Sequence, residues 1–208
     1  NCGEIPEDVI ASLDQRTQAL SLLFGHVRGA FAGADEDRDG YFQMAHGGTL
    51  YFDEIDRIPV PLQAGLMRAL ESGEVRRLGD PTGLQVDVRL VAATRKDLAN
   101  QVAAGEFRED LCRVLSRSSV HVAPLRERPE DIPLLVDHLV QRHNPQLGKN
   151  FKGAERGVIR LLMSQPWKGN VRELENVIEH TMILAEADWI MLKDLPVSIT
   201  EGKDAVAP

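Results

Sequence analysis

The feature that most limits how this chain can fold is a short apolar run, residues 48–52, that ends directly in Asp53 and Glu54. Such a run is the pattern of a buried strand in a parallel sheet, and open α/β sheets bind ligands at the carboxyl ends of their strands. Side chains alternate along a strand, so the two carboxylates should point differently and take different roles. One can hold Mg²⁺ through water while the other orients an attacking water. The alternative is that the two acids only cap the turn that follows the strand.

Helix and strand patterns alternate through the first part of the chain. Leu62, Leu66 and Leu70 recur at the spacing of one helix face. Residues 86–93 first alternate and then become fully apolar, which predicts a second strand. Further helices are expected over residues 7–23, 96–104 and 108–115. This alternation predicts a parallel sheet with flanking helices. After Pro124, where turns such as Asn144-Pro145 interrupt the chain, only helical patterns follow, at residues 130–143, 154–164 and 171–185.

The composition is that of a globular protein and argues against two classes of function. With 208 residues, 43% hydrophobic and 27% charged, the chain can bury one sizeable core and a small satellite. Its net charge of −8 argues against a DNA-binding domain, which normally carries a basic face. No apolar run approaches the ~18 residues of a membrane span. Cys2 and Cys112 form no CxxC pair, so we expect a reduced, cytoplasmic compartment.

Several short motifs follow one another in a specific order. They are LFGH at 23–26, GAFAGA at 29–34, GGTL at 47–50 before the acids at 53–54, RLVAAT at 89–94, FREDL at 107–111, PLRERPEDI at 124–132 and WKGNVRELE at 167–175. Together they resemble the central AAA+ ATPase domain of sigma-54-dependent transcriptional activators, the bacterial enhancer-binding proteins. The resemblance covers about residues 1–198.

The resemblance implies an α/β fold class with a small satellite. Residues 1–124 would form a partial P-loop AAA+ parallel sheet with flanking helices, residues 125–198 an all-helical lid, and residues 199–208 a flexible tail. It also implies that ATP and Mg²⁺ bind between the subunits of a homo-oligomeric ring, which would be a hexamer in the intact parent. Hydrolysis would remodel sigma-54 RNA polymerase holoenzyme and activate transcription, with no direct DNA binding by this segment and no contact with a membrane.

Residue by residue, the resemblance implies a nucleotide site. Asp53 would be the Walker B aspartate at Mg²⁺, and Glu54 would polarise the attacking water. Asn1 stands where the family has an asparagine that switches this glutamate between active and idle orientations. Thr94 lies in the segment called sensor I, which responds to the γ-phosphate. Arg172 matches sensor II, an arginine carried by the lid.

Two further assignments concern neighbouring molecules. Arg108 matches an arginine finger, which reaches the site of the adjacent subunit and stabilises charge that develops in phosphoryl transfer. The loop that touches sigma-54 would consist of Gly29, Ala30, Phe31, Ala32, Gly33 and Ala34.

The sequence also departs from the family pattern. It contains no GxxxxGK(S/T) phosphate-binding loop, which the family has upstream of the position of Asn1, so this segment has been cut off or never existed. Val114 replaces a second finger arginine, Arg95 replaces a sensor I asparagine, and Ala32 replaces a loop threonine. We therefore expect no measurable ATPase activity from this chain alone. The alternative is a catalytically inactive AAA+ remnant that regulates or joins rings; a DNA-binding factor is a weaker third possibility.

Overall fold

The structure is a computed structural model that describes residues 2–4 and 16–200. Asn1, the first part of the helix predicted over 7–23, and nearly all of the predicted tail at 199–208 lie outside the described residues. The chain divides into two compact units, residues 1–119 and 120–208, and each unit has its own apolar core. Within the described ranges, no helix is both long and apolar enough to cross a membrane.

The first unit is built on a parallel sheet. The unit contains five strands among its described residues: β1 (Cys2–Glu4), β2 (Gly48–Phe52), β3 (Glu74–Arg76), β4 (Gly83–Gln85) and β5 (Val88–Ala92). Strands β1, β2 and β5 form one parallel sheet in the order β1-β2-β5, with Leu50 paired to Leu90. The two strands predicted from the apolar runs are confirmed, and so is the α/β fold class.

Strands β3 and β4 form an antiparallel hairpin that the sequence analysis did not predict. Each has only three residues, which is too short for an alternating pattern to stand out. Gly73, in a left-handed conformation with φ 65°, ends the preceding helix and turns the chain into β3. The hairpin therefore follows directly from a glycine helix stop.

Helices cover the sheet of the first unit. They are α1 (Arg16–Phe24), α2 (Tyr41–Met44), α3 (Val60–Ser72), α4 (Leu98–Ala103) and α5 (Glu109–Leu115), with a 3₁₀ turn at Ile55–Arg57. Leu62 and Leu66 of α3 are fully buried, as their spacing predicted. The core also holds the aromatic series Phe24, Phe42 and Phe52, with ring centroids 5.6 and 6.4 Å apart. This core supports the carboxyl end of β2, where Asp53 and Glu54 lie.

The second unit is mainly helical, which confirms the predicted lid fold. Its helices are α6 (Ile132–Leu147), α7 (Arg156–Met163), α8 (Asn170–Leu184) and α9 (Val197–Thr200). It also contains one parallel pair of two-residue strands, β6 (Gly153–Ala154) and β7 (Trp189–Ile190), so the expectation that strands stop after Pro124 was wrong.

The predicted helix break at Asn144-Pro145 was also wrong, because α6 continues through Pro145 to Leu147. Proline inside a helix costs about 3 kcal/mol when it removes a central hydrogen bond. Here it lies in the last turn, next to the left-handed cap Gly148. The Asn144 side chain donates to and accepts from the backbone of Phe151, each at 2.9 Å, and so fixes the chain beyond the cap.

Candidate functional site

The two acids follow β2 through a strained turn. Glu54 has a left-handed backbone, φ 48° and ψ 51°, and its N–H donates to Asp53 Oδ1 at 3.0 Å. Such a conformation costs a non-glycine residue about 1–2 kcal/mol and occurs most often at functional sites. Ala93 holds the turn, since its carbonyl accepts the N–H of Ile55 and its N–H donates to the carbonyl of Phe52. Glu54 therefore continues β2 through a left-handed turn, which strand alternation does not predict.

Asp53 has the chemistry of a magnesium ligand. Its Oδ1 accepts the N–H of Glu54, and within the part of the chain that the structure describes it forms no ion pair. No group of three or more metal-ligating side chains occurs among those residues. Mg²⁺ is usually held by one or two carboxylates together with water and substrate phosphates. The donor set therefore fits a magnesium ion that is shared with a phosphate ligand.

Both oxygens of the Glu54 carboxylate are paired with arginines. Oε2 lies 2.8 Å from Arg57 Nε and Oε1 lies 3.3 Å from Arg95 Nε. The carboxylate is largely buried, while the side chains of Arg57 and Arg95 are 57% and 74% exposed. The predicted water-polarising residue is thus held by two basic side chains that reach it from the surface.

Thr94, the predicted sensor I residue, lies beside the same turn. Its hydroxyl donates to Oδ1 of the buried Asp56 at 2.7 Å and accepts the N–H of Lys96 at 3.0 Å. Lys96 Nζ lies 3.5 Å from the other oxygen of Asp56. These contacts join residues 94–96 to the turn at 54–57. Asp56 and Lys96 were not predicted from the sequence, although each lies two residues after a recognised motif.

Arg108 begins helix α5 and is held by Asp110. Its Nε and terminal nitrogen donate to the two carboxylate oxygens of Asp110 at 3.0 and 2.6 Å. This bidentate hydrogen bond raises the pKa of Arg108 and lowers the pKa of Asp110. The Arg108 side chain is 40% exposed, beside an open depression lined also by Glu109 and Arg113. No hydrogen bond or ion pair connects Arg108 with Asp53 or Glu54 in the described ranges.

No arginine takes the place of Val114. Val114 is partly buried and packs against the core of the first unit. Arg113, its neighbour, points to the surface and pairs with Glu109 at 2.7 Å, one helical turn away. The second finger that the family pattern would supply is therefore missing from α5.

Arg172, the predicted sensor II residue, lies in the second unit near the start of α8. It is exposed and has no hydrogen bond or ion pair within residues 16–200. The start of the helix is firmly held: Asn170, with φ 54°, accepts the N–H of Leu125 at 2.8 Å. The buried Trp167 donates to the carbonyl of Leu162 at 2.7 Å. Arg172 is thus a free cation on a rigid helix start.

Asn1, the predicted switch residue, lies outside the described residues.

The loop of residues 29–34 is a compact turn. Its first and last residues are joined by a bond from the Gly29 N–H to the Ala34 carbonyl at 2.8 Å. Ala34 is buried, whereas Ala32 at the tip is exposed. Phe31 packs edge-on against the ring of His26, with centroids 5.0 Å apart. The loop therefore presents Ala32 to solvent and keeps Phe31 against its own base.

The base of this loop is held by neighbouring backbone. Gly25 and Gly40 touch so closely that a Cβ on Gly40 would lie 2.4 Å from the Gly25 nitrogen. Val27 donates to the carbonyl of Leu78, and Leu78 donates to the carbonyl of Gly25, at 3.0 and 2.9 Å. Residues 25–40 therefore form a closed loop anchored to the β3–β4 connection.

Comparisons with known proteins agree with this architecture. Residues 1–121 match the Sigma-54 interaction domain family, and residues 126–207 match the AAA+ ATPase lid domain family. The transcriptional regulatory protein ZraR of Salmonella typhimurium is 43% identical over 199 residues, covering 96% of this chain and 43% of ZraR. The anaerobic nitric oxide reductase transcription regulator NorR of Aeromonas salmonicida is 45% identical over 188 residues, covering 90% and 35%. The chain thus spans less than half the length of these relatives.

Solved structures agree as well. Crystal structures of NtrX from Brucella abortus in complex with ADP and with ATP each superpose with a TM-score of 0.82 at 30% identity. They cover 97% and 100% of this chain, and 44% and 45% of the NtrX chains. The chain belongs to the Sigma-54 interaction domain family and continues into an AAA+ ATPase lid domain.

Proposed function

We propose that this chain is the ATPase module of a sigma-54-dependent transcriptional activator. In the full-length parent it binds ATP with Mg²⁺ between the subunits of a ring, and hydrolysis moves the 29–34 loop against sigma-54 RNA polymerase. The observation that carries the proposal is the strained turn at the end of β2, where Asp53 offers a free carboxylate oxygen and Glu54 is held separately by arginines. The NtrX complexes with ADP and ATP support the nucleotide.

The chemistry is divided between the two acids. Asp53 holds Mg²⁺, directly or through water, and Glu54 orients the attacking water as a hydrogen-bond acceptor. Thr94 fixes the segment beside Glu54 through Asp56. Mg²⁺ neutralises charge on the phosphates when it is bound.

Arg108 and Arg172 supply positive charge from outside this turn. Arg108 is half-exposed at the start of α5 and makes no contact with Asp53 or Glu54 of its own subunit, which suits a finger that acts on a neighbour. Arg172 is exposed at the rigid start of α8 and suits a lid arginine that closes over phosphates. The role of Arg108 requires a ring, because the finger has no target within a monomer.

An open sheet edge supports a contribution from a phosphate-binding strand elsewhere in the parent. Among the described strands β5 pairs only with β2, and Val91 on β5 is 40% exposed. A buried parallel strand that carries the phosphate-binding loop would cover this edge of β5.

The test is nucleotide binding and turnover by the full-length parent and three variants. Asp53→Ala should weaken Mg²⁺-dependent ATP binding by about tenfold or more, since it removes the metal ligand. Glu54→Ala should retain ATP binding but hydrolyse ATP about 100-fold more slowly. Glu186→Ala, an exposed acid of the second unit, is the control and should change neither.

Two results would contradict the proposal. Equal loss of binding in Asp53→Ala and Glu54→Ala would contradict the division of roles. A full-length parent that assembles but binds no nucleotide would favour the inactive remnant, which Val114 also fits.

A further inference from the structure

Two basic side chains hold the carboxylate of Glu54, and they do so unequally. Arg57 belongs to the same 3₁₀ turn and lies 2.8 Å from Oε2, three residues along the chain. Arg95 comes from the segment after β5, lies 3.3 Å from Oε1 and is 74% exposed. The longer and more exposed pair is the weaker of the two, because solvent screens it more strongly. Arg95 is therefore the arginine that leaves Glu54 more easily.

The backbone on both sides of Arg95 is fixed although its side chain is exposed. Thr94 and Lys96 both contact the buried Asp56, at 2.7 and 3.5 Å, and the Thr94 hydroxyl also accepts the Lys96 N–H. Asp56 lies two residues after Glu54 in the same turn. These contacts keep the Cα of Arg95 beside Glu54 while its long side chain can change direction. The arrangement suits a side chain that exchanges partners from a fixed base.

A carboxylate with both oxygens paired to guanidinium groups is a poor acceptor for a proton from water. Its charge is neutralised, and the water must compete with two charge-assisted contacts. Glu54 in this arrangement is idle. Activity then requires that one oxygen be released without loss of the turn that positions the other. Because Arg57 is part of that turn, release of Arg95 meets both conditions.

We infer that Arg95 restrains Glu54 in the nucleotide-free site and turns to the anionic phosphates when ATP is bound, which frees one oxygen of Glu54. The inference rests on the proposed function, since it needs a nucleotide site at the end of β2. A guanidinium binds phosphate through a planar fork of donors and remains charged at any working pH. Arg95 acts on Glu54 and is thus a positioning residue. A neutral amide at this place could not neutralise the carboxylate in the same way.

The exchange makes Glu54 a competitor of the phosphates for Arg95, and this can be measured without turnover. In the full-length parent, affinities for a non-hydrolysable ATP analogue and for ADP are determined by fluorescence titration. Glu54→Gln should raise the affinity for the analogue relative to ADP about fivefold, because Arg95 no longer has to leave a carboxylate. Arg95→Asn should lower that ratio about tenfold. When Glu54→Gln is added to Arg95→Asn, the ratio of analogue to ADP affinity should not change further.

Arg57→Asn is the matched control, since it removes an arginine from the same carboxylate. It should leave the effect of Glu54→Gln intact, because Arg95 is still present. Arg95→Lys keeps the charge but loses the planar fork, and its ratio should fall between those of the parent and Arg95→Asn. Thermal unfolding shows whether Arg95→Asn folds. If it does not, Arg95→Lys is used in its place.

Several outcomes would overturn the inference. One is a ratio of analogue to ADP affinity that Arg95→Asn leaves unchanged. Another is an equal effect of Glu54→Gln with and without Arg95. Both leave the proposed function standing, because nucleotide still binds. A parent that binds neither nucleotide overturns the proposed function, and this inference with it.

Discussion

The side-chain oxygen of Gln63, a fully buried residue of α3, accepts the backbone N–H of Arg108 at 2.8 Å. The amide nitrogen of the same side chain donates to the carbonyls of Ile58 and Glu106, at 2.8 and 3.1 Å. One buried amide therefore aligns Ile58, two residues before α3, with the chain that enters α5. Because Arg108 is the N-cap of α5, Gln63 determines where the proposed finger leaves the core.

Gln63→Met should destabilise the first unit and misplace Arg108. The variant leaves a backbone N–H and two carbonyls without their partner, which we expect to lower the free energy of unfolding by about 2–4 kcal/mol. Denaturant titration of the full-length parent measures this. Gln165→Met is the control, because the bonds of Gln165 to Leu161 and Ile199 are long, 3.3 and 3.4 Å, and its loss should cost less than about 1 kcal/mol. Equal losses in the two variants would contradict the role of Gln63.

The proposed action of Arg108 on a neighbouring subunit predicts rescue in mixed rings. Arg108→Ala and Glu54→Ala rings should each hydrolyse ATP about 100-fold more slowly than the parent. Mixing the two variants creates some interfaces that carry an intact Glu54 and an intact Arg108, so activity should rise above that of either variant. Steady-state turnover is measured alongside co-assembly by native mass spectrometry. Demonstrated mixed rings without any gain in turnover would contradict the action in trans.

The fold and the identity of the two acids could be predicted from local patterns, because each lies in a short apolar or motif-bearing segment. The left-handed turn at Glu54 could not, since nothing in the pair of acids indicates a residue with positive φ. Arg95 was noticed as a substitution, but its pairing with Glu54 joins residues 41 positions apart and depends on the register of β2 with β5. Contacts of this kind are a property of the sheet and not of either segment.

In the second unit too, some elements could be predicted from the sequence and others could not. Its helices follow from apolar spacing, whereas β6 and β7 have two residues each and carry no periodicity. Pro145 was interpreted as a break because proline is unfavourable in most helical positions. Its place in the last turn, before the Gly148 cap, removes most of that cost. The position of Pro145 within the helix, more than its being a proline, decides that α6 continues to Leu147.

Asp80 predicts a specific acid dependence of the hairpin turn. Its pKa is lowered to about 2, chiefly because the Thr82 hydroxyl and N–H donate to it and Arg77 pairs with it at 3.0 Å. A lowered pKa adds stability that is complete above the unfolded value of about 3.9 and is lost as the pH falls toward 2. Asp80→Asn should therefore be less stable than the parent at neutral pH, and the difference should disappear as the pH falls from about 4 to about 2.

The titration of Asp80 is measured directly by carboxyl-detected NMR, and stability is measured by denaturant titration across the same pH range. Asp87→Asn is the control, since Asp87 is exposed and, within the part of the chain that the structure describes, its carboxylate forms no hydrogen bond or ion pair. An Asp80 midpoint near 4 would contradict the prediction. The result bears on function, because this turn carries Leu78, which pairs with the base of the 29–34 loop.

Ala32 predicts a separation between ATP hydrolysis and promoter opening. It is exposed at the tip of the 29–34 loop, where the family resemblance implies a threonine that contacts sigma-54. An added hydroxyl would meet solvent in the free protein, so Ala32→Thr should leave stability and turnover unchanged. At the interface it would supply one hydrogen bond, worth about 1 kcal/mol and about fivefold in productive contact.

Ala34→Thr is the matched control: Ala34 is buried, and the larger polar side chain should loosen the loop and lower promoter opening. Both variants are made in the full-length parent and assayed as the number of open complexes formed per ATP hydrolysed. Equal yields for the parent and Ala32→Thr would mean that Phe31 supplies the contact and that the residue at position 32 is neutral.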